Sequence, residues 1–279
     1  MQASPIYIIN GDLSQVITPL DRGLAYGDGV FRTMPTRGGM PVNWALHYQK
    51  LVADCAAIGL VCPSAELLMS DFLQLLAEPD LSTNKLAVAK IIITRGEGAR
   101  GYKTPAVTCP NRILIQSAMP IYSKDSHELG VDLHRCDLRL APQAKLAGIK
   151  HLNRLENVMA RMEWRDESLF DGLLLDQQDN VIECTMSNVF ARYGNQLLTP
   201  DLTQCGVAGI TRDRILNLAS VLNLHAQIAT LPFARLIQAD EVIICNSLFG
   251  AFQVKSINHS ATWPQQALAK NFRDLLAHD

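Results

Sequence analysis

Between Met119 and Gly130 the apolar periodicity of this 279-residue chain lapses. Pro120, Ser123, Lys124, Asp125 and Ser126 take its place, the punctuation of a connection rather than of a core element. The stretch divides the chain into an N-terminal α+β domain at 1–118, an interdomain linker at 119–130 and a C-terminal α/β domain at 131–279. Each part has the length to bury a core of its own. In the first, Ile6 to Asn10 and Leu13 to Thr18 read as short strands about Gly11-Asp12. Asp21 to Phe31 carries three glycines, Gly23, Gly27 and Gly29, which suggest backbone bends beside something bulky. Thr33 to Val42 reads as a hairpin turning at Gly38-Gly39. Trp44 to Ile58 follows as a helix with Leu46, Leu51 and Cys55 on one side, and Pro63-Ser64 opens a second helix to Leu76. Leu86 to Thr94 and Arg112 to Ser117 are strands, separated by the polar, glycine-rich loop Arg95 to Tyr102.

The second part opens on a strand, Val131 to Leu140. A helix is expected from Lys150 to near Trp164, with Leu152, Leu155 and Met159 on one apolar face. Asp171 to Asp176 and Val181 to Arg192 read as paired strands about Gln178-Asp179-Asn180, with Gln196 to Thr199 a third. An amphipathic helix at Ile210 to Leu222, a strand at Glu241 to Asn246 and a last helix from about Pro264 complete the pattern. Hairpins beside crossovers make the fold class α+β, in two domains.

Bulk composition narrows the function. Lys+Arg 25 against Asp+Glu 27 leaves a net charge of -2 and no basic stripe, so no nucleic-acid partner is expected. No apolar run is long enough to span a bilayer, so no membrane partner is expected. Met1-Gln2-Ala3-Ser4-Pro5 does not resemble the start of a signal peptide. The seven cysteines are odd in number, scattered, and form no CxxC pair. Buried free thiols in a reducing cytoplasm are the expectation, with no metal site.

Five places carry possible chemistry. Lys150, after Gly148-Ile149, is either a solvated lysine at a helix start or an amine that reaches a cavity. The helix dipole disfavours a cation there, which raises the question of its partner. Gly209-Ile210-Thr211 opens a helix after a glycine turn, where free N–H groups and a hydroxyl suit a phosphate. Asn246-Ser247, at a strand end, either closes on the same phosphate or forms a plain turn. Glu183 is a carboxylate inside an apolar strand, and needs either a salt bridge or a protonated ring nitrogen. The Arg95 and Arg100 pair offers guanidinium forks for a substrate carboxylate. Taken together these describe a seat for a phosphorylated aromatic aldehyde, the substrate-activating cofactor of pyridoxal phosphate chemistry.

On these residues the sequence resembles the fold-type IV pyridoxal phosphate enzymes: the branched-chain aminotransferases, D-amino acid aminotransferases and aminodeoxychorismate lyases. Ala147 to Glu156 and Arg95 to Tyr102 are most similar to the lyase branch. Glu183-Cys184, Ser187 to Phe190 and Gly206 to Ile210 match the ring-nitrogen strand and the phosphate turn. The resemblance implies a two-domain fold with pyridoxal 5'-phosphate in the cleft between domains, and a homodimer. It implies that Lys150 is the Schiff-base lysine and Glu183 the ring-nitrogen partner. Asn188, Gly209, Ile210, Thr211, Asn246 and Ser247 belong to the cofactor site. In the family His-x-x-Arg-Leu places an arginine on the phosphate; here Lys50 of His47-Tyr48-Gln49-Lys50-Leu51 takes that position, keeping the charge without the fork. Phe31, where D-amino acid aminotransferases carry a tyrosine, lies with Arg100, Tyr102 and His151 on the substrate side. His151 either contacts substrate or caps the helix. The implied reaction is conversion of 4-amino-4-deoxychorismate to 4-aminobenzoate and pyruvate in folate synthesis. Transamination of D- or branched-chain amino acids is the enzyme alternative, and a non-catalytic relative of the fold is the other.

Overall fold

Along residues 30–36, Val30, Arg32, Met34 and Thr36 are buried and Phe31, Thr33 and Pro35 between them are half-buried. That period of two makes the stretch a strand with one face on a core. The computed structural model describes residues 6–76, 86–258 and 260–278, so the reading of Met1 to Pro5 lies outside the described residues. The chain forms two compact units, 1–120 with 149–153, and 121–148 with 154–279. Residues 149–153, read from sequence as part of the second half, therefore pack with the first.

The first unit contains β1 (Ile6–Ile9), α1 (Arg22–Tyr26), β2 (Gly29–Arg37), β3 (Met40–Pro41), α2 (Trp44–Ala57), α3 (Ala65–Leu76), β4 (Ala87–Thr94) and β5 (Asn111–Ala118). The strands form an antiparallel sheet in the order β1-β5-β4-β2-β3. Leu51 and Cys55 of α2, with Leu68, Phe72 and Leu75 of α3, pack on Val30, Met34, Ile91, Ile93 and Leu114. Each such large side chain contributes about 1.5–3 kcal/mol when fully buried. Leu46, expected on the inner face of α2, is 39% exposed, and His47 and Asp54 are buried in the stripe instead. The stripe is rotated toward residues 47, 51, 54 and 55, and thus admits two polar side chains.

Leu13 to Thr18 is not a strand. Only Asp12 bridges back to Ile9, and its carboxylate then accepts from the N–H and hydroxyl of Ser14, which turns the chain. Arg95, read as half of a carboxylate-binding pair, is structural. Its Nε lies 2.8 Å from Asp28, and its remaining nitrogens donate to the carbonyls of Ile58 and Gly59 just past α2. Those carbonyls lack helical partners, so an arginine satisfies them. Arg22 reaches Asp28 from α1 at 2.9 Å. Burial pushes the Asp28 carboxyl up, but the bonds from Arg95 and Arg22 outweigh it and hold the group below its ordinary range.

The second unit contains α4 (Lys124–Glu128), β6 (Val131–Leu140), α5 (Leu155–Arg161), β7 (Leu169–Asp176), β8 (Val181–Cys184), β9 (Asn188–Tyr193), β10 (Gln196–Pro200), α6 (Ile210–Leu218), β11 (His225–Ala229), α7 (Phe233–Leu236), β12 (Glu241–Asn246), β13 (Gly250–Ile257), β14 (Ala261–Thr262) and α8 (Leu268–His278). The mixed sheet runs β11-β10-β9-β12-β13-β6-β7-β8, with β14 on β13. α6 and α8 cover one face through Ile215, Leu268 and Phe272 against Phe190, Ile243 and Ala251. Val131, Leu173, Val242, Phe252 and Trp263 belong to a separate core cluster. Within the stretch read as a linker, α4 is a short helix capped by Ser123, whose hydroxyl accepts from Ser126 N–H.

Val181 to Arg192, read as one strand, is two. Thr185 and Ser187 both donate to the buried Asp171 carboxylate, which bends the chain after β8 and sends β9 across to β12 and β10. The last helix starts at Leu268 rather than Pro264, because Gln253 bonds the Pro264 carbonyl and the Gln266 N–H and holds 264–266 out of the helix. Among the described residues no helix is long and apolar enough to cross a membrane.

Candidate active site

β3 pairs only with Thr36 and Arg37 of β2, leaving the flank of β2 before them without a strand. Residues 149–153 lie along that flank. Phe31 N–H donates to the Lys150 carbonyl at 2.9 Å, Leu152 N–H donates to Gly29 at 3.0 Å, and His151 bridges Val30. Lys150 is therefore extended and does not open a helix; α5 begins at Leu155. The reason is non-local. The backbone groups around Lys150 bond to β2, and Asn153 donates to the Gly27 carbonyl at 3.1 Å. His151 is buried beside β2, four residues before the first residue of α5. The apolar stripe expected on the core is also turned outward, with Leu155 69% and Met159 53% exposed.

Both main-chain groups of Lys150 are held. Its N–H donates to Asp54 Oδ2 at 3.2 Å, and its carbonyl accepts from Phe31. Its Nζ stands 4.6 Å from the centroid of the Phe31 ring, and Lys90 Nζ lies 4.9 Å from the same centroid. An aromatic face attracts a cation at such distances. Asp54 also accepts from Arg32, which is buried, and from Lys50 Nζ at 2.8 Å. Lys50, expected at a phosphate, thus has the Asp54 carboxylate as one partner. Sequence reasoning missed Arg32 and Asp54. The signal was available: Arg32 is in phase with Val30 and Met34, and Asp54 is one turn from Lys50 beside Cys55.

In the second unit the organising element is the turn Gly206 to Gly209. Gly148 N–H donates to the Gly206 carbonyl at 2.9 Å, and Ala208 N–H returns to Gly148 at 3.2 Å. Glu183, on β8 and 4% exposed, accepts from Val207 N–H at 2.8 Å. Burial, reinforced by the Glu183 charge, pushes the Cys205 thiol up to about 11. Asn188 braces the same turn, donating to the Val207 carbonyl at 2.8 Å and accepting from Gly209 N–H at 3.2 Å. A Cβ at residue 209 would stand 2.4 Å from Asn188 Oδ1, so a larger residue there would displace the amide that braces the turn.

α6 starts immediately after Gly209, and no side chain caps it. Thr211 and Ser247 place their hydroxyls 3.3 Å apart beside it. An uncapped helix start with two facing hydroxyls suits a phosphate. Asn246 does something else with its side chain. Its Oδ1 accepts from Leu248 and Phe249 N–H at 2.9 and 3.1 Å, and its Nδ2 donates to Met186, so it closes the turn after β12. The structure thus groups Glu183, Asn188, Gly209, Ile210, Thr211 and Ser247 about one turn and one helix start. It groups Lys150, His151, Phe31 and Lys50 about β2 and α2. The second unit thus offers a buried carboxylate and a helix start, and the first an amine on a fixed backbone, each of a kind that pyridoxal phosphate uses.

Arg100 and Tyr102 join neither group in this chain. Arg100 is exposed, and Tyr102 is 85% exposed with its ring edge against Tyr26. The Tyr102 carbonyl accepts from Arg22, which anchors the loop backbone while leaving its side chain outside. His134, Cys136 and Glu163 cluster on β6 and just beyond α5, their ligand atoms within 4.8 Å of one another. Hydrogen bonds account for the grouping. Glu163 accepts from the N–H groups of Asp137 and Leu138, His134 is bridged to Asn258, and burial pushes the Cys136 thiol up to about 12.

Residues 29–257 match the family model described as amino-transferase class IV. A curated aminodeoxychorismate lyase from Vibrio harveyi is 35% identical over 254 residues, covering 91% of this chain and 92% of that protein. The crystal structure of a 4-amino-4-deoxychorismate lyase from Pseudomonas aeruginosa is similar with a TM-score of 0.90 and 39% identity, covering 98% of both chains. A hypothetical aminotransferase from Mycobacterium tuberculosis, solved with alpha-ketoglutarate and PMP bound, shares the fold with a TM-score of 0.76 at 17% identity, covering 94% of this chain and 92% of that one.

Proposed function

The chain belongs to the amino-transferase class IV family, and on that footing we propose that it is a pyridoxal phosphate-dependent lyase converting 4-amino-4-deoxychorismate to 4-aminobenzoate and pyruvate. One observation carries the choice of reaction: near-full-length likeness, at 35% and 39% identity, to two relatives named for that substrate.

Pyridoxal 5'-phosphate, when bound, supplies an electron sink for charge developing at the carbon that bears the substrate nitrogen. The protein supplies the rest. Lys150 Nζ is the amine that would hold the cofactor aldehyde and, once the substrate amine had taken its place, would accept the proton from that carbon. That proton transfer requires a neutral amine. Glu183 keeps the ring nitrogen protonated, with its own carboxylate oriented by Val207 N–H. Ile210 and Thr211, through the start of α6, and Ser247, through its hydroxyl, hold the phosphate, while Asn188 and Asn246 fix the turns that carry them. Lys50 adds positive charge on the phosphate side. Phe31 and His151 line the substrate side.

The exposed Arg100 and Tyr102 fit a loop that completes the site of a neighbouring copy. α5 and its C-cap present Leu155 at 69%, Val158 at 53%, Met159 at 53% and Met162 at 75% exposure, an apolar stripe that a second copy would cover. A homodimer is the assembly proposed, and a monomer in sedimentation equilibrium at micromolar concentration would refute it. All seven cysteines are free, which suits a reducing cytoplasm.

The decisive assay is chromatography of products after incubating the cofactor-loaded protein with 4-amino-4-deoxychorismate. Equal amounts of 4-aminobenzoate and pyruvate, formed without any 2-oxo acid acceptor, are expected. Amino-group transfer to an added 2-oxo acid, with no 4-aminobenzoate, would replace the lyase by an aminotransferase.

A further inference from the structure

We infer that Asp54 is a positioning residue for Lys150, fixing where the lysine backbone lies and tuning how tightly its nitrogen holds a proton. The inference rests on the reading that Lys150 carries the cofactor. Asp54 is 1% exposed, and three donors from three segments converge on it: Lys150 N–H, the Arg32 guanidinium on β2 and Lys50 Nζ on α2. With the Lys150 carbonyl bonded to Phe31 N–H, the Asp54 contact removes the remaining backbone freedom at the point where the reactive side chain begins. Precise placement of a reacting group is itself a source of rate.

The charges matter as much as the bond. Among the described contacts the charged groups against this segment in its unit include Asp54 and Lys50 from α2, Arg32 from β2 and Lys90 from β4, whose Nζ shares the Phe31 ring with Lys150. The buried titratable side chains of its unit include His47 on α2 and His151 in the segment itself. Asp54 is the only anion among the first four. Neutralising it leaves the cluster bonded to the Lys150 backbone net positive and weakens the lysine nitrogen's hold on a proton. Removing the Arg32 charge does the reverse, because Asp54 then acts less compensated. A carboxylate that merely ties α2 to β2 would lower stability in either variant but would move no proton affinity.

The test compares the cofactor-loaded wild type with Asp54→Asn, Arg32→Gln and the double variant, by pH titration of the near-visible absorbance band and by thermal melting. Asp54→Asn keeps an oxygen for Lys150 N–H and drops only the charge. Its band midpoint should fall by about one pH unit, roughly a tenfold loss of proton affinity. Arg32→Gln should raise the midpoint, and the double variant should return close to wild type. Single variants that melt lower with unmoved midpoints, or that both shift the same way, overturn the inference. Should Asp54→Asn not fold, Arg32→Gln against the double variant makes the same decision, since removing both members of a buried pair is tolerated better than removing one. The titration needs no substrate, so it is independent of the product assay. A wild type that has the band but releases no 4-aminobenzoate refutes the lyase reading alone, whereas a wild type without the band removes the premise and the inference with it.

Discussion

Lys150→Ala abolishes the borohydride-reducible near-visible band of the cofactor-loaded protein and lowers 4-aminobenzoate formation by about 10,000-fold, the upper range for losing one positioned proton-transfer group. In the proposed mechanism two functions are lost at one atom: the amine that would hold the aldehyde and the base that would take the proton. The fold should not be disturbed. Two of the bonds that seat this residue use its N–H and carbonyl, to Asp54 and from Phe31, and alanine makes both. The melting temperature of the cofactor-free variant should therefore match wild type. A variant that kept the band would remove Lys150 from the mechanism.

Glu183→Gln ranks second. Glutamine fills the same volume and still accepts from Val207 N–H, so the turn from Gly206 to Gly209 stays in place. Only the negative charge is gone, and with it the hold on a protonated ring nitrogen. The turnover number should fall by about 100- to 1,000-fold, the range for losing one preorganised electrostatic partner, while cofactor affinity through the phosphate changes little. Steady-state kinetics with a parallel cofactor titration checks both statements. A turnover number within a factor of about two of wild type would contradict the role, since so small a change is worth under about 0.5 kcal/mol.

What could be read in the sequence depended on whether the cause was local. The alternation from Val30 to Thr36 and the Gly38-Gly39 turn are local, and the β2–β3 hairpin follows from them. Glu183 stood out because a carboxylate in Val181-Ile182-Glu183-Cys184 breaks an otherwise apolar strand. Gly209-Ile210 announced α6 by glycine followed by a periodic run. The Lys150 segment was misread because its backbone partners lie over a hundred residues earlier, on β2, and the spacing of Leu152, Leu155 and Met159 reads as a helix regardless. The same spacing suggested a buried face, yet Leu155 and Met159 are exposed, since periodicity says which residues share a face and not what that face meets. Asp54 escaped notice for a related reason. On α2 it reads as the acidic half of a surface Lys50–Asp54 pair at i,i+4, and only the arrival of Arg32 and Lys150 makes it a buried junction. Asn246-Ser247 reads either as a phosphate contact or as a plain turn, and the Asn246 side chain serves the turn after β12.

The strand-like placement of residues 149–153 has a bearing on how this protein can be divided. A fragment ending at residue 120 would keep every strand of the first sheet but would lose the segment that covers the flank of β2. Bare strand flanks recruit other strands, including those of identical fragments. The N-terminal portion is consequently not an exchangeable module: cut free or grafted elsewhere, it would self-associate along β2. Residues 149–153 thus also close the strand flank that the portion of the chain before them leaves bare.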